Sequence, residues 1–358
     1  MRGSDRCQNL KGETIKILLV SHQYEPSVGG IETISSMLVE GFIDAGHTVT
    51  VVTQTPGDSN SLSENLRVMR GPGAIELLKA VKFADVVFHN NISLRFAWPL
   101  ALVWRPWVVA VHIWITRMTG STSLVDHAKQ FVLKFANVIS VSQAVADHLL
   151  TKSRVIPNAY RSDLFRKLDG VEKIPRSIVF VGRLIPDKGV ETLLRAAALL
   201  HSEGLLDRLT IIGDGRQRED LEVLAADLEI HGLTHFTGQL SGQFLVEQLN
   251  SHEFMVIPSR WDEPFGLVAL EGIACGCIVV GTSGGGLPEA IGRAGRIFQN
   301  GNEQELFEVL KDTISDSSSS AELLRLGPEH LSAHTPARMV ADYLEVLETA
   351  RARFWTRR

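Results

Sequence analysis

The chain has 358 residues, which suggests two domains rather than one, and its 44% hydrophobic and 22% charged content is that of an ordinary globular protein. The formal net charge of −5 provides no basic footprint for nucleic acid, so no nucleic-acid partner is expected. Three cysteines cannot form a disulfide framework, and the Cys275-Gly276-Cys277 spacing does not suit a metal. A reducing cytoplasm fits this cysteine usage best.

The start of the chain and its most apolar region do not look like membrane or export signals. Residues 1–13 are polar, lack the apolar core of a signal peptide, and are predicted to be a flexible leader. The region from Phe96 to Ile115 is apolar but contains Pro99, Arg105 and Pro106. A transmembrane helix needs about 20 uninterrupted apolar residues, so the sequence argues against a membrane span.

The organised chain opens with a strand–helix–strand pattern. A buried parallel strand is predicted over 15–20, a helix over 31–45 and the next strand over 48–53. Gly29 and Gly30 precede the helix, where glycine lets the backbone approach a ligand closely. The Gly-x-Gly-x-x-Gly dinucleotide fingerprint is absent, so this glycine pair is only a weak phosphate-binding signal.

Four polar residues follow strands in the rest of the first half. The predicted strands cover 66–69, 85–89, 107–112 and 138–142, followed by an extended segment at 155–159 and a linker over 161–176. The residues at their ends are His89, His112, Ser142 and Asn158. Because ligands bind at the carboxyl ends of parallel strands, at least two of them are predicted to line a cleft. The alternative for each one is a satisfied structural residue.

The same alternation restarts in the second half. The predicted strands cover 177–181, 209–212, 235–237, 254–257, 278–280 and 296–298. The predicted helices cover 190–202, 217–228 and 244–249, and another begins near residue 284. From Glu303 the pattern is helical, broken by the serine run 317–320 and by Pro328, with a closing helix near 337–350. These elements predict two doubly wound α/β domains of similar size.

The stretch from Glu263 to Glu271 brackets an apolar run with two carboxylates. Pro264 is expected at the first helical position, which places Glu263 in the preceding loop and Glu271 about two turns inside the helix. The free amides near Phe265, Gly266 and Leu267 would then favour an anion such as a phosphate. The alternative is an ordinary capped helix with two solvated acids.

Arg183 and Lys188 lie in one short turn after a strand, where they suit a diphosphate. Arginine offers a planar fork to the oxygens and lysine a compact charge, although a pair of solvated loop cations is the alternative. Gly213-Asp214-Gly215 and Gly238 occupy the same kind of position. The chain contains no Asp-x-Asp, and its histidines lack metal-ligand spacing, so no metal site is predicted.

Three motifs together resemble glycosyltransferase family 4. They are Gly182-Arg183-Leu184 with Asp187-Lys188-Gly189, the Glu263–Glu271 stretch, and Gly285-Gly286-Leu287-Pro288-Glu289. The resemblance extends from about Ile15 to the C-terminus and is specific in the second half. It implies a GT-B fold, in which two Rossmann-like domains face each other across a cleft.

The resemblance also implies domain boundaries. Residues 14–165 would form an N-terminal, acceptor-side domain, and residues 166–334 a nucleotide-sugar-binding domain. Residues 335–358 would form a C-terminal helix that packs back on the first domain. The first domain looks short between Asn65 and Asp85. Since that domain contacts the acceptor in this family, the acceptor is the least transferable inference.

The resemblance assigns the catalytic roles to Arg183, Lys188, Glu263 and His112. The arginine and lysine would hold the donor diphosphate and stabilise the departing nucleotide, and Glu263 and His112 would contact the donor sugar. Glu271 would bind the ribose hydroxyls. The other residues assigned to donor binding are Gly30, Gly182, Gly213, Gly215, Gly238, Phe265, Gly266 and Leu267.

The implied reaction is transfer of a hexose-type sugar, with retention, from a UDP- or GDP-linked donor to an acceptor hydroxyl. The acceptor would be a sugar, glycolipid or glycan, in glycan, polysaccharide or glycolipid biosynthesis, and no metal or further cofactor is expected. A nucleotide-sugar epimerase, a phosphorylase and a non-catalytic nucleotide-sugar-binding regulator are the alternatives. A regulator would be expected to lose Arg183, Lys188, Glu263 or Glu271, and all four are present.

Four of the six tryptophans lie close together in the first half, with arginines interspersed: Trp98, Trp104, Trp107 and Trp114. Aromatic and basic residues together suit a membrane interface or a lipid-linked acceptor. The alternative is a tryptophan-rich core. The expected location is the cytoplasm, and the membrane interpretation of this stretch adds peripheral contact of the N-terminal domain with the inner face of the cell membrane.

Overall fold

The computed structural model describes residues 13–27, 29–57, 64–115 and 123–356. The chain forms two compact units, the first made of Met1–Ala159 with Pro336–Arg358 and the second of Tyr160–Thr335. Nearly all of the predicted leader lies outside the described residues.

A seven-stranded, fully parallel sheet forms the centre of the first unit, in the order β3-β2-β1-β4-β5-β6-β7. The strands are β1 (Lys16–Val20), β2 (Thr48–Thr53), β3 (Leu66–Arg70), β4 (Val86–Asn90), β5 (Trp107–Val111), β6 (Asn137–Ser140) and β7 (Ser153–Val155). The central strands β4 and β5 are buried at every position, as expected for strands covered on both faces.

The helices of the first unit are α1 (Gly30–Asp44), α2 (Ala74–Phe83), α3 (Leu94–Ala97), α4 (Leu124–Leu133), α5 (Gln143–His148) and the C-terminal α13 (Pro336–Thr356). A 3-10 turn, Trp98–Ala101, follows α3. Helix α13 packs on α1 and on the centre of the sheet. The fully buried Tyr343 meets Phe88 of β4 edge-on, with 5.6 Å between ring centroids, so the last helix completes the core of the unit in which the chain begins.

The second unit contains a six-stranded parallel sheet in the order β10-β9-β8-β11-β12-β13. Its strands are β8 (Ile174–Val181), β9 (Arg208–Ile212), β10 (Thr234–Gly238), β11 (His252–Ile257), β12 (Ile278–Thr282) and β13 (Gly295–Phe298). The order turns back at β8, which lies between β9 and β11. In open parallel sheets a ligand binds outside the carboxyl ends of the strands at such a point.

The helices of the second unit are α6 (Val190–Ser202), α7 (Arg218–Asp227), α8 (Gly242–Ser251), α9 (Leu267–Ala274), α10 (Leu287–Ile291), α11 (Glu303–Ser315) and α12 (Ser317–Ser332), with 3-10 turns at Pro186–Lys188 and Gly292–Ala294. One buried apolar cluster joins α6 and α11 to the sheet. Among the described residues, no helix is long and apolar enough to cross a membrane.

The structure corrects two expectations about chain breaks. The helical region does break at the expected place, but at Asp316: the serine run itself forms the first turn of α12, where Asp316 accepts hydrogen bonds from the amides of Ser318 and Ser319. Pro328 lies inside the same helix. The stretch 161–176 is not a linker, since its end belongs to β8 and Phe165 is buried in the second unit.

Candidate functional site

Most of the predicted binding residues of the second unit lie in loops that follow β8, β9 and β11, whereas Gly238 ends β10 and Leu267 and Glu271 belong to α9. The amide of Leu184 donates to the Asp214 carbonyl (2.9 Å), which joins the β8 and β9 loops. Gly213 has a φ of +143°, and a Cβ there would lie 1.8 Å from the Gly182 carbonyl oxygen. A Cβ on Gly215 would lie 2.4 Å from the Leu184 carbonyl oxygen. Glycine at these positions therefore allows two loops to lie backbone against backbone.

Lys188 and Glu263 form an ion pair, with 2.5 Å between Nζ and Oε1. Ser259 donates its hydroxyl to the same carboxylate oxygen at 2.8 Å. The lysine side chain is 24% exposed and the glutamate side chain 14%. Oε2 of Glu263 accepts no hydrogen bond from a described residue, so one oxygen of this carboxylate is held while the other remains available to a ligand.

The loop that carries Glu263 is extended, so the predicted helix start at Pro264 is wrong. Glu263 forms a parallel bridge with Gly285, and its carbonyl accepts the Gly286 amide at 2.7 Å. The helix begins only at Leu267, after Gly266 in the left-handed region (φ 101°). Pairing with a loop distant in sequence keeps residue 263 extended and delays the helix by three residues relative to Pro264.

Glu271 consequently lies about one turn inside α9, not two. No described residue pairs with its carboxyl group, and its side chain keeps partial access to solvent. Burial raises the pKa of Glu271 to about 7. A partly accessible carboxyl group without a protein partner is suited to accept hydrogen bonds from a ligand.

Arg183 differs from Lys188 in its surroundings. Its side chain is exposed and makes no ion pair with a described residue. Lys188 is partly buried and already paired with Glu263. The two cations of this turn are therefore one free guanidinium and one fixed ammonium group.

In the first unit, His112 directly follows β5 and is 6% exposed. Its Nε2 lies 2.7 Å from Oδ1 of Asn90, the last residue of β4. Burial lowers the pKa of His112 to about 4, so the ring is neutral at physiological pH. Gly30 is the first residue of α1.

The other three residues predicted at strand ends, His89, Ser142 and Asn158, are all buried. His89 lies within β4, fully buried against Trp107, and neither ring nitrogen has a hydrogen-bond partner among the described residues, so it is not one of the two or more cleft residues that were predicted. Ser142 caps α5 by accepting the Val145 amide. Asn158 is buried with its Oδ1 unpaired. Asn90 was not among the residues predicted at the strand ends, since only the sheet register distinguishes it from its neighbour His89.

The tryptophans separate into two classes. Trp107 belongs to β5 and is 8% exposed, whereas Trp104 is 70% and Trp98 40% exposed. The core and the surface interpretations of this stretch therefore each apply to some of its residues. Within the described part of the chain, no group of three or more His, Cys, Asp or Glu side chains is arranged to hold a metal ion.

The family model described as "Glycosyl transferases group 1" matches residues 163–328. An uncharacterized glycosyltransferase of Methanocaldococcus jannaschii is 30% identical over 330 residues, covering 77% of this chain and 83% of that protein. The match to the family model includes every site residue of the second unit described above.

Two solved structures show the same fold. Sucrose-phosphate synthase from Thermosynechococcus elongatus superposes with a TM-score of 0.79 at 21% identity, covering 95% of this chain and 100% of that one. Anabaena HepE in complex with UDP-glucose superposes with a TM-score of 0.75 at 20% identity, covering 93% and 100%.

Proposed function

The chain belongs to the group 1 glycosyltransferases and has the GT-B fold, and we propose that it transfers a hexose-type sugar, with retention, from a UDP- or GDP-linked donor to an acceptor hydroxyl. The observation that carries the proposal is the grouping of Lys188, Glu263 and Glu271 around the start of α9, where the Glu271 carboxyl group has no partner among the described residues. A cation, a helix N-terminus and two carboxylates match the phosphate and hydroxyl groups of a nucleotide sugar.

The donor diphosphate would be held by positive charge from three sources. Lys188 supplies a compact ammonium group and Arg183 a free guanidinium fork. The amides of Gly266 and Leu267, at the start of α9, add the partial positive charge of a helix N-terminus. Together these groups would stabilise the charge that develops on the departing nucleotide, without a metal ion or further cofactor.

The two carboxylates would bind different hydroxyl groups of the donor. Oε1 of Glu263 is occupied by Lys188 and Ser259, which leaves Oε2 for the sugar. Glu271 would accept hydrogen bonds from the ribose hydroxyls, and this contact favours its ionised form. In the first unit, His112 and the backbone at Gly30 would contact the sugar and the diphosphate.

In the proposed reaction, the bond between the anomeric carbon and the diphosphate oxygen breaks. The acceptor oxygen forms its bond on the same face, and the acceptor proton passes to the leaving phosphate. The transition state would resemble an oxocarbenium ion. This route needs no covalent carboxylate nucleophile, unlike the paired-carboxylate retaining glycosidases.

A donor screen tests this proposal. The protein is incubated with UDP- and GDP-linked hexoses and candidate sugar and glycolipid acceptors, and release of nucleoside diphosphate and the anomeric configuration of the product are measured. We expect one donor to raise the melting temperature, since it binds only the folded state, and to yield a product of retained configuration. UDP-glucose is the first donor to test, because HepE, which has the same fold, was solved with it.

An inverted product would contradict the retaining mechanism. Binding of a nucleotide sugar without transfer to any acceptor would support the non-catalytic regulator. No thermal response to any nucleotide sugar would overturn the proposal.

We also propose that the first unit contacts an anionic membrane, through α4 more than through the tryptophan-rich stretch. Leu124, Phe131 and Phe135 are 89%, 58% and 69% exposed. Leu124 and Phe131 lie seven residues apart on one side of α4. Phe135, in the turn after the helix, meets Phe131 edge-on with 5.4 Å between ring centroids and extends the same apolar stripe. Lys129 and Lys134 flank this apolar stripe. An outward-facing apolar stripe between lysines suits the interface of an anionic bilayer and, with it, a glycolipid acceptor.

Vesicle sedimentation tests the membrane contact. We expect binding to phosphatidylglycerol-containing vesicles at low salt, and loss of binding in the Phe131→Ser/Phe135→Ser double variant. Phe244→Ser is the matched control, since Phe244 is 72% exposed but belongs to the second unit. Equal binding by both variants, or no binding by the natural chain, would remove this proposal.

A further inference from the structure

A continuous chain of hydrogen bonds, partly buried at the first bond and buried from Ser21 onward, leads from a backbone carbonyl to His112. Ser21 Oγ donates to the Gln23 carbonyl at 2.6 Å, and Ser35 Oγ donates to Ser21 Oγ at 3.0 Å. Asn90 Nδ2 lies 2.7 Å from Ser35 Oγ, and His112 Nε2 lies 2.7 Å from Asn90 Oδ1. Both serines and the asparagine are completely buried, so water cannot replace these partners.

The Gln23 carbonyl determines the direction of every bond in this chain, because a carbonyl can only accept. The single hydroxyl proton of Ser21 is used on that carbonyl, so Ser21 must accept from Ser35. Ser35 has then used its own proton and must accept from the amide nitrogen of Asn90. The oxygen of Asn90 therefore faces His112, whose Nε2 must carry a proton.

The opposite orientation of the Asn90 amide is unfavourable. It would place Oδ1 against the carbonyl oxygen of Ile31, which now lies 3.5 Å from Nδ2, and so would bring two acceptors together. It would also require Ser35 to donate to Oδ1. Either the Ser35–Ser21 hydrogen bond would then be lost, or Ser21 would donate to Ser35 and leave the Gln23 carbonyl without its donor. The amide orientation is thus set by two carbonyl groups on different segments.

We propose that Asn90 is a positioning residue that holds His112 as the neutral Nε2–H tautomer, so that its Nδ1 lone pair accepts a hydrogen bond from a sugar hydroxyl. The sugar part of this inference rests on the proposed function. No described residue donates to Nδ1. Burial of the ring favours the neutral form that this role requires.

The chain of bonds also fixes the position of the ring. Its members come from the loop after β1, from α1, from the end of β4 and from the residue after β5. The glycine-initiated helix α1 and the histidine are therefore connected through side chains, and a change at Ser35 reaches His112 through Asn90. This connection predicts that a residue with no ligand contact influences the histidine.

Long-range proton–nitrogen NMR of the full-length chain with ¹⁵N-labelled histidine tests the tautomer directly, since it distinguishes a protonated from an unprotonated ring nitrogen. We expect His112 to show a protonated Nε2 and a bare Nδ1, assigned by loss of the signals in His112→Gln. In Asn90→Ala and Ser35→Ala we expect loss of this single tautomer. Ser140→Ala is the matched control, because Ser140 is equally buried but bonds to Ser153, outside the chain of bonds.

A protonated Nδ1 in the natural protein, or an unchanged tautomer in both Asn90→Ala and Ser35→Ala, would overturn the inference. This readout requires no donor or acceptor, so it stands apart from any failure to find sugar transfer. Asn90→Asp provides a conservative second variant, since its carboxylate still accepts from Nε2–H. Because a nearby negative charge favours the imidazolium, we expect His112 to titrate at higher pH in this variant.

Kinetics provide the functional readout. We expect Asn90→Ala to lower kcat roughly tenfold, the order expected for one lost hydrogen bond, with a smaller effect on KM. The sugar hydroxyl that contacts His112 can be replaced by fluorine or by hydrogen in the nucleotide sugar. Both replacements should lower the transfer rate equally, because fluorine cannot donate a hydrogen bond to Nδ1. Recovery of the rate with the fluoro sugar would show that His112 donates and would contradict the inference.

Discussion

At the scale of single residues, three of the ionisable side chains of the second-unit site are in different states. Arg183 is exposed and unpaired, Lys188 is fixed to one oxygen of Glu263, and Glu271 has no partner among the described residues. The sequence identified all three groups but could not show these states, since they depend on contacts between residues far apart in the chain. The states predict different responses to substitution.

Lys188→Ala and Arg183→Ala should both reduce sugar transfer, but only the first should reduce stability. Removing Lys188 leaves a largely buried carboxylate without its counter-charge, which costs about 1–3 kcal/mol, between the values for exposed and fully buried pairs. Removing Arg183 breaks no ion pair with a described residue. Urea unfolding of the two variants measures the difference.

Lys188→Met is the control for loss of the charge alone, because methionine has a side chain of similar length without the ammonium group. Equal stability of the Lys188 and Arg183 variants would contradict the assigned ion pair. Natural transfer rates in both variants would contradict their role at the diphosphate.

Glu271 should make stability fall with rising pH. Its pKa is about 7 in the folded protein and 4.5 ordinarily, so between these values the folded state holds the proton more tightly than the unfolded state. The free energy of unfolding attributable to this group therefore decreases as pH rises from about 4.5 to about 7. Glu271→Gln cannot ionise and should lose this decrease, as measured by melting temperatures across the window.

The same carboxyl group should make nucleotide binding depend on pH. If Glu271 accepts from ribose hydroxyls, UDP or GDP should bind more tightly as pH rises through about 7 and the group ionises. Calorimetric titration of the natural chain and of Glu271→Gln measures this trend. An equal pH dependence of nucleotide affinity in both proteins would show that Glu271 does not contact the nucleotide.

At the scale of elements, hydrophobic patterning was a good guide to strands and a weaker one to helix ends. The strand predicted over 278–280 lies inside β12, because an apolar run buried on both faces is visible in sequence. Helix α2 was not predicted: only Leu77 and Val81 are buried, whereas Ile75 and Phe83 are 71% exposed, which blurs the helical period. The start of α9 depends on the Glu263–Gly285 bridge, a contact that local patterns do not reveal.

The β8 and β9 loops should tolerate no side chain at Gly213. Gly213→Ala combines a positive φ with overlap on the Gly182 carbonyl, and we expect it to cost more than about 3 kcal/mol. Gly204→Ala is the matched control in the same unit, because Gly204 also has a positive φ (+69°) but no heavy atom within 4 Å of its added Cβ. It should cost only about 1–2 kcal/mol. Equal losses in the two variants, measured by chemical unfolding, would contradict the close approach of the loops.

At the scale of the whole molecule, three buried histidines should make the fold sensitive to acid. Burial lowers the pKa of His89 to about 3 and of His112 and His252 to about 4. Because the unfolded chain takes up these protons near pH 6.5 and the folded chain does not, stability falls as pH drops below that value. Each histidine contributes at most about 1.4 kcal/mol per pH unit.

His89→Leu separates the structural from the functional histidines. Neither ring nitrogen of His89 has a hydrogen-bond partner in the described part of the chain, so an apolar side chain of similar size should stabilise the fold and reduce its acid sensitivity without affecting sugar transfer. The comparison of melting temperatures near pH 5 and pH 7 measures this effect. An unchanged or steeper acid dependence would contradict the neutral, unpaired state of the ring.

The division of the chain into two α/β units could be predicted from the repeated strand–helix alternation, because parallel strands that alternate with helices are compatible with few other architectures. The hydrogen-bonded connection between α1 and His112 could not be predicted from the sequence, since it depends on the sheet register and on two serines that belong to no recognisable motif. Asn90 is the clearest case. It follows His89 in the chain, and a difference of one residue in the register decides which of the two lies at the carboxyl end of β4.

A crystal structure with a bound nucleoside diphosphate tests the central claim most directly. The account predicts the diphosphate at Lys188 and the amides that begin α9, with the ribose hydroxyls within hydrogen-bonding distance of Glu271. A nucleotide bound elsewhere in the second unit, with Glu271 and Lys188 untouched, would contradict it.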